Sequence, residues 1–207
     1  MSDRWFHRPL ASPRLYDGVQ KLLGAGDRTL EGVYSRGFGA SEGCVLDVGC
    51  GPTQETPLPR GTLIGIDINA NYVARYSASD NTETTRILGA VGSAAALPFA
   101  NASCDETRCV AVLHHLPDEL ATATVKEMHR VTRPGGRIVI WEMLLPDRWS
   151  DGPLATLLCR LDRGRYVRPV ADVRALLGHA VDETWEEERF RYAWPRLHGG
   201  QWIAIKS

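Results

Sequence analysis

Four short apolar runs separated by helical stretches constrain the fold of this chain more than any other feature. They are Cys44-Val45-Leu46-Asp47-Val48, Thr62-Leu63-Ile64-Gly65-Ile66-Asp67-Ile68, Arg108-Cys109-Val110-Ala111-Val112-Leu113 and Gly136-Arg137-Ile138-Val139-Ile140-Trp141-Glu142. Such runs read as strands buried on both faces, which is how parallel strands look in a doubly wound α/β sheet. Leu116 to Val131 carries Leu120, Val125, Met128 and Val131 at helical spacing and stops at Pro134-Gly135-Gly136. Tyr72 to Ser77 begins a second helix. Thr184 to Tyr192 and Gly200 to Lys206 read as strands of an antiparallel edge hairpin, joined by a loop with Pro195 and Gly199-Gly200.

Two segments lie outside this core. Pro13 to Ala25 predicts a short helix ahead of the first strand, with Tyr16 and Gln20 one turn apart on one face. Pro146 to Leu177 predicts two helices around Asp162-Arg163-Gly164-Arg165. Length favours a single domain, since 207 residues supply one core and not two. Its expected layout is a helical cap over 1–42, a sheet core over 43–142, and further helices with the hairpin over 143–207.

Charge narrows the partners. The 24 basic residues face 25 acidic ones, so the excess of Lys and Arg that phosphate backbones demand is missing and no nucleic-acid partner is expected. Met1 to Leu10 has no apolar run fit for a signal peptide, and no window reaches the length of a membrane span, which gives an expectation of a cytoplasmic protein. The five cysteines, an odd count without a C-x-x-C pair, are expected as reduced thiols mostly in the core. The histidines make no ligand set, so no metal is expected.

Val45-Leu46-Asp47-Val48-Gly49-Cys50-Gly51-Pro52-Thr53 carries the most chemistry. A strand that enters a turn at two glycines lets a ligand press against backbone, beyond the carboxyl end of the strand. A dinucleotide is disfavoured: the third glycine of its fingerprint would stand at Gln54, Pro52 lacks an N–H for phosphate, and Asp47 places negative charge where a pyrophosphate would lie. That carboxylate suits a ligand with a cationic end, such as the ammonium and sulfonium of S-adenosylmethionine. Asp67 ends the next run, where a carboxylate accepts from a ribose diol or serves as a helix N-cap.

With Gly65-Ile66-Asp67-Ile68-Asn69, Ala96-Leu97-Pro98-Phe99, Ser103-Cys104-Asp105, Val112-Leu113-His114-His115-Leu116 and Glu127 to Gly136 following in order, residues 44 to 142 resemble the class I S-adenosylmethionine-dependent methyltransferases, in the branch with small-molecule and quinone acceptors. The resemblance implies a Rossmann-like sheet of seven strands, mostly parallel, with the last antiparallel. It implies S-adenosylmethionine as cofactor and a methyl transfer to an O, N or C nucleophile of a small organic acceptor. It places Asp47, Gly49 and Gly51 along the methionine part, Asp67 on the ribose, Ile68, Ser93 and Ala94 about the adenine, and Val110 and Ala111 near its other face. In related proteins a segment like that of Tyr16 and Gln20 folds over the cofactor. Alternatives are a non-methylating reaction on the same cofactor, since fold does not fix chemistry, and a regulatory protein with a vestigial site.

Three departures from the family pattern stand out. Thr53 replaces a third glycine, Ser93 an aspartate, and Pro52 to Leu58 is short for the first helix. At the end of the run Arg108 to Leu113, Leu113-His114-His115-Leu116 is neither the Pro-Pro-aromatic signature of amino-methylation of DNA nor bracketed by the glutamate pair of arginine methylation. Neighbours on a strand face opposite ways, so at most one of the pair faces the acceptor while the other packs beneath the next helix; the resemblance implies that His114 is the catalytic one, as base or as pocket lining. Glu142 either meets the acceptor or pairs with Arg137 or Arg148. Arg160, Arg163, Arg165 and Arg168 form either an anion site or a solvated helix end.

Overall fold

The computed structural model describes residues 37–38, 41–52, 56–79, 81–148, 152–161, 165–192 and 196–207. The expected helix Pro13 to Ala25, with Tyr16 and Gln20, lies outside them, as does Thr53. Seven strands, β1 (Glu42–Val48), β2 (Arg60–Asp67), β3 (Thr85–Val91), β4 (Cys104–Val110), β5 (Thr132–Leu144), β6 (Glu186–Tyr192) and β7 (Leu197–Ile205), form one sheet in the order β3-β2-β1-β4-β5-β7-β6. β1 to β5 pair in parallel, and β7 runs antiparallel to both β5 and β6. This is the expected doubly wound sheet with its antiparallel edge hairpin. The strand order reverses between β1 and β4, where ligands settle in sheets of this kind.

Several boundaries move. The fourth strand starts at Cys104 and ends at Val110, because Ala111 turns left-handed (φ 56°) and breaks it. β5 starts at Thr132, directly at the end of the preceding helix, so Pro134-Gly135-Gly136 lies inside the strand and not between elements. β3 matches none of these four runs: it is an edge strand that buries only Thr85 and Ile87, with Leu88 and Ala90 half-buried and Arg86, Gly89 and Val91 exposed.

Helices α1 (Ala70–Ser77), α2 (Asp118–Val131), α3 (Pro153–Leu161) and α4 (Val170–Ala180) cover the sheet. α2 buries Ala121, Thr124, Val125, Met128 and Val131, one stripe at i, i+3, i+4, i+7 and i+10. Asp118 and Glu119 in its first turn, and His129 and Arg130 in its last, complement the helix dipole. α2 and α4 close over Leu46, Val48, Ile138, Ile140 and Trp202 on one face. On the other, Ala155 and Cys159 of α3 meet Val139, Trp141, Met143, Tyr192 and Leu197. Each such large side chain contributes roughly 1.5–3 kcal/mol by burial, and truncating Met128 to Ala would cost roughly 2–5 kcal/mol. All five cysteines are free thiols, four buried and Cys44 half-buried.

The described part of the β1–β2 connection holds no helix. Its place is taken by a polar cluster around Arg108, which is wholly buried. Arg108 pairs through Nε with Glu106 Oε1, and its Nη atoms donate to Thr56 Oγ1 (3.1 Å), the Pro57 carbonyl (2.7 Å), Ser41 Oγ (3.2 Å) and the Phe38 carbonyl (3.3 Å). Arg137 adds a 3.0 Å bond to Glu106 Oε2. With so many acceptors converging on it, the guanidinium does not leave a buried charge unpaired.

Candidate active site

Three parallel strands deliver their ends to the switch point. After β1, Gly49 (φ 73°) and Gly51 (φ 62°) adopt the left-handed conformation that glycine takes without strain. The Ile66 carbonyl accepts from Gly49 N (2.8 Å) and Cys50 N (3.1 Å), which ties this turn to β2. A Cβ on Gly49 would collide with the Val112 side chain, so the turns after β1 and β4 touch across the switch point.

Asp67 is held from two sides: Oδ2 accepts from Gly51 N at 3.2 Å and Oδ1 from Asn69 N at 2.8 Å. Burial raises its pKa, and these N–H donors work against the rise. Asp67 is not a helix cap. Asn69 caps α1, its side chain accepting from Asn71 N at 3.0 Å. Asp47 lies 5 % exposed beneath the same turn and accepts from Tyr76 Oη at 3.0 Å. Burial pushes its pKa up to about 6, while Tyr76 and Arg108 pull the other way.

Gly92 N donates to the Asp67 carbonyl at 3.0 Å, and so brings Ser93 and Ala94 to the same edge. Ser93 Oγ accepts from Ala95 N at 3.3 Å. Ile68 (80 % exposed) and Val91 (58 %) present bare apolar side chains there.

Beyond β4 the construction differs. Val110 ends the strand and Ala111 N donates to the Trp141 carbonyl at 2.8 Å. Glu142, 2 % exposed on β5, gathers the following turn: Oε1 accepts from Val112 N (2.9 Å) and Leu113 N (2.6 Å), and Oε2 lies 2.7 Å from His114 Nδ1. Nδ1 facing a carboxylate is the protonated nitrogen, which makes Nε2 the basic one. Neither Arg137 nor Arg148 is the partner of Glu142. The sequence left Glu142 between two roles, although an acid at the end of an apolar strand was a usable signal for this one.

Leu113–His115 is a 3₁₀ turn and not the end of a strand, so the argument from alternation does not apply. His114 is the buried histidine, beside a cavity of about 10 Å³ lined also by Leu113, Glu142, Tyr166 and Arg168, and His115 is exposed. The expectation that His115 packs beneath the helix is therefore corrected. Arg168 is no solvated helix end and no anion site: it bonds Asp118 Oδ1 (2.6 Å) and the carbonyls of Leu113 (2.8 Å), Leu116 (2.7 Å) and Tyr166 (3.1 Å), which fixes the turn that carries His114.

The structure thus brings Asp47, Gly49, Gly51, Asp67, Ile68, Ser93, Ala94, Val110, Ala111 and His114 to one edge of the sheet. Among the described residues no group of His, Cys, Asp and Glu could hold a metal, and no helix is long and apolar enough to cross a membrane.

A methyltransferase-domain family model matches residues 46–140. Methyltransferase GfsG of Streptomyces halstedii is 29 % identical over 170 residues, 78 % of this chain and 60 % of that protein. A demethylmenaquinone methyltransferase of Geobacillus kaustophilus is 34 % identical over 159 residues, 72 % of this chain and 59 % of that protein. Among solved structures, a SAM-dependent methyltransferase of Methanosarcina mazei superposes with a TM-score of 0.63 at 17 % identity, covering 81 % of this chain and 92 % of that one. The chain belongs to the class I S-adenosylmethionine-dependent methyltransferase family. It spans about three fifths of the length of the two curated relatives.

The family's cofactor fits the residues present. The left-handed glycines offer backbone bare of Cβ, Asp47 is a buried carboxylate suited to a cation, Asp67 is fixed at the next strand end, and Ile68 and Val91 are exposed apolar side chains at the same edge.

Proposed function

We propose that this protein transfers the methyl group of S-adenosylmethionine to a small organic acceptor. The observation that carries the reading is the locked triangle of Gly51 N, Asp67 and the Gly49 turn above buried Asp47. The cofactor supplies an electrophilic methyl on a sulfonium. Gly49 and Gly51 give the methionine part room against backbone, Asp47 meets its cationic end, and Asp67 accepts from the ribose hydroxyls. Ile68, Ser93, Ala94, Val110 and Ala111 flank the adenine. His114, with its tautomer set by Glu142, orients the acceptor or takes its proton at Nε2. Transfer then rests mainly on positioning and on exclusion of water.

Titration calorimetry with S-adenosylmethionine and S-adenosylhomocysteine, followed by an acceptor screen scored by S-adenosylhomocysteine release, tests this. Binding of both and turnover with at least one hydroxyl, amine or carbon acid is expected. Binding of NADH and of neither sulfur ligand would overturn the reading.

A further inference from the structure

A second, larger space opens on the same edge of the sheet. It is a cleft of about 470 Å³, bounded by the last residues of β5, the start of α4 and the turn end of the β6–β7 hairpin. This volume suits a small-molecule site. Its walls combine apolar Leu144, Leu145 and Val170 with Arg189, Arg191 and Arg196. One carboxylate faces them, Asp147, and it is taken by Arg189 at 3.0 Å. Arg191 and Arg196 make no ion pair among the described residues. Two exposed arginines therefore line a cleft with both apolar and polar walls, and neither has a carboxylate partner among the described residues.

The register of β5 places this cleft beside the proposed chemistry. Glu142 and Leu144 lie two residues apart on one strand, hence on one face and about 7 Å from each other. Glu142 holds His114, and Leu144 lines the cleft. Arginine forks match the paired oxygens of carboxylate and phosphate, and they gain strength next to an apolar wall.

We propose that this cleft binds the acceptor, and that the acceptor is an organic anion: a carboxylate or phosphate on an apolar frame, with Arg191 and Arg196 as the residues that select it. The inference rests on the methyltransferase reading above and names the substrate class of that reaction. It also assigns to the hairpin the anion recognition that the sequence had offered to the stretch ending in Arg168.

The test compares 1-hydroxy-2-naphthoate and 1-naphthyl phosphate with 1-naphthol, which keeps the ring and loses the anion. Binding is measured with and without S-adenosylhomocysteine, in wild type and in the double variant Arg191→Gln/Arg196→Gln. At least one anionic probe should bind wild type more tightly than 1-naphthol, with an affinity that falls as salt rises. The double variant should lose roughly 10- to 100-fold for that probe, the range for charge-assisted hydrogen bonds, with its Tm and S-adenosylhomocysteine affinity unchanged. Equal binding of all three probes to wild type, or an anion preference that survives in the double variant, would overturn the proposal. Failure of S-adenosylhomocysteine to bind would instead overturn the methyltransferase reading, and the anion preference read without it still decides the cleft.

Discussion

The turn after β1 and the turn after β4 touch at the switch point and are built in opposite ways. The first is stripped to backbone, with Gly49 and Gly51 left-handed and their region tied to the Ile66 carbonyl and to Asp67. The second is filled by a side chain, since Glu142 reaches across from β5 to hold Val112 N, Leu113 N and His114. Their buried acids differ accordingly. Glu142 has three donors. Asp47 has a phenol, and its pKa has risen to about 6. One carboxylate is satisfied by the fold, and the other is left wanting a positive charge, which is what a turn built to receive a cationic ligand requires.

The largest expected effect falls on the filled turn. His114→Ala should lower turnover on the order of 10²–10⁴-fold with near-normal cofactor affinity, and wild-type rate should follow the titration of an imidazole. A variant that turns over normally with a saturating acceptor would reduce His114 to packing. Next, Glu142→Ala leaves two backbone N–H groups and an imidazole without their acceptor. A stability loss of about 3 kcal/mol or more is expected in urea unfolding, with Glu142→Gln milder because it keeps one oxygen.

The open turn should respond with the reverse sign. Asp47 ionises near pH 3.8 when unfolded and near 6 when folded, so stability falls as pH rises between those values and the penalty is full above pH 6. Asp47→Asn should therefore be more stable than wild type at pH 7.5 by roughly 2–3 kcal/mol, equal to it near pH 3.5, and weaker for S-adenosylmethionine. A variant less stable at pH 7.5 would mean that both acids serve the fold. Asp67→Ala should weaken S-adenosylmethionine by roughly 1.5–3 kcal/mol in calorimetry. The smallest effect is that of exposed His115→Ala, within about 0.5 kcal/mol of wild type in thermal unfolding.

The open turn was legible in sequence because its parts are local: two glycines and an acid at one strand end, and a second acid at the next. The filled turn was not. His114 and Glu142 are 28 residues apart and Arg168 and Asp118 are 50 apart, and nothing periodic links them before the strands pair. Arg168 looked like a surface charge because the carbonyls it satisfies, those of Leu113 and Leu116, lie in and just after a 3₁₀ turn where the sequence had read a strand end followed directly by a helix. β3 was passed over although it carries the apolar run Ile87 to Val91; as an edge strand it buries only Thr85 and Ile87 and leaves Gly89 and Val91 exposed. The short connection after Pro52 was visible as a departure, and its replacement by Glu106, Arg108 and Arg137 was not.

That replacement gives the two flanks of the sheet different responses to heat. Unfolding the flank under α2 and α4 bares hydrocarbon, which raises heat capacity, whereas unfolding the patch around Arg108 bares guanidinium, carboxylate and hydroxyl, which lower it. The cost of drying ions also shrinks on warming. The Arg60 amide, bonded to the Ser41 carbonyl in this patch, should thus keep more of its protection against deuterium exchange as temperature rises than amides within α2.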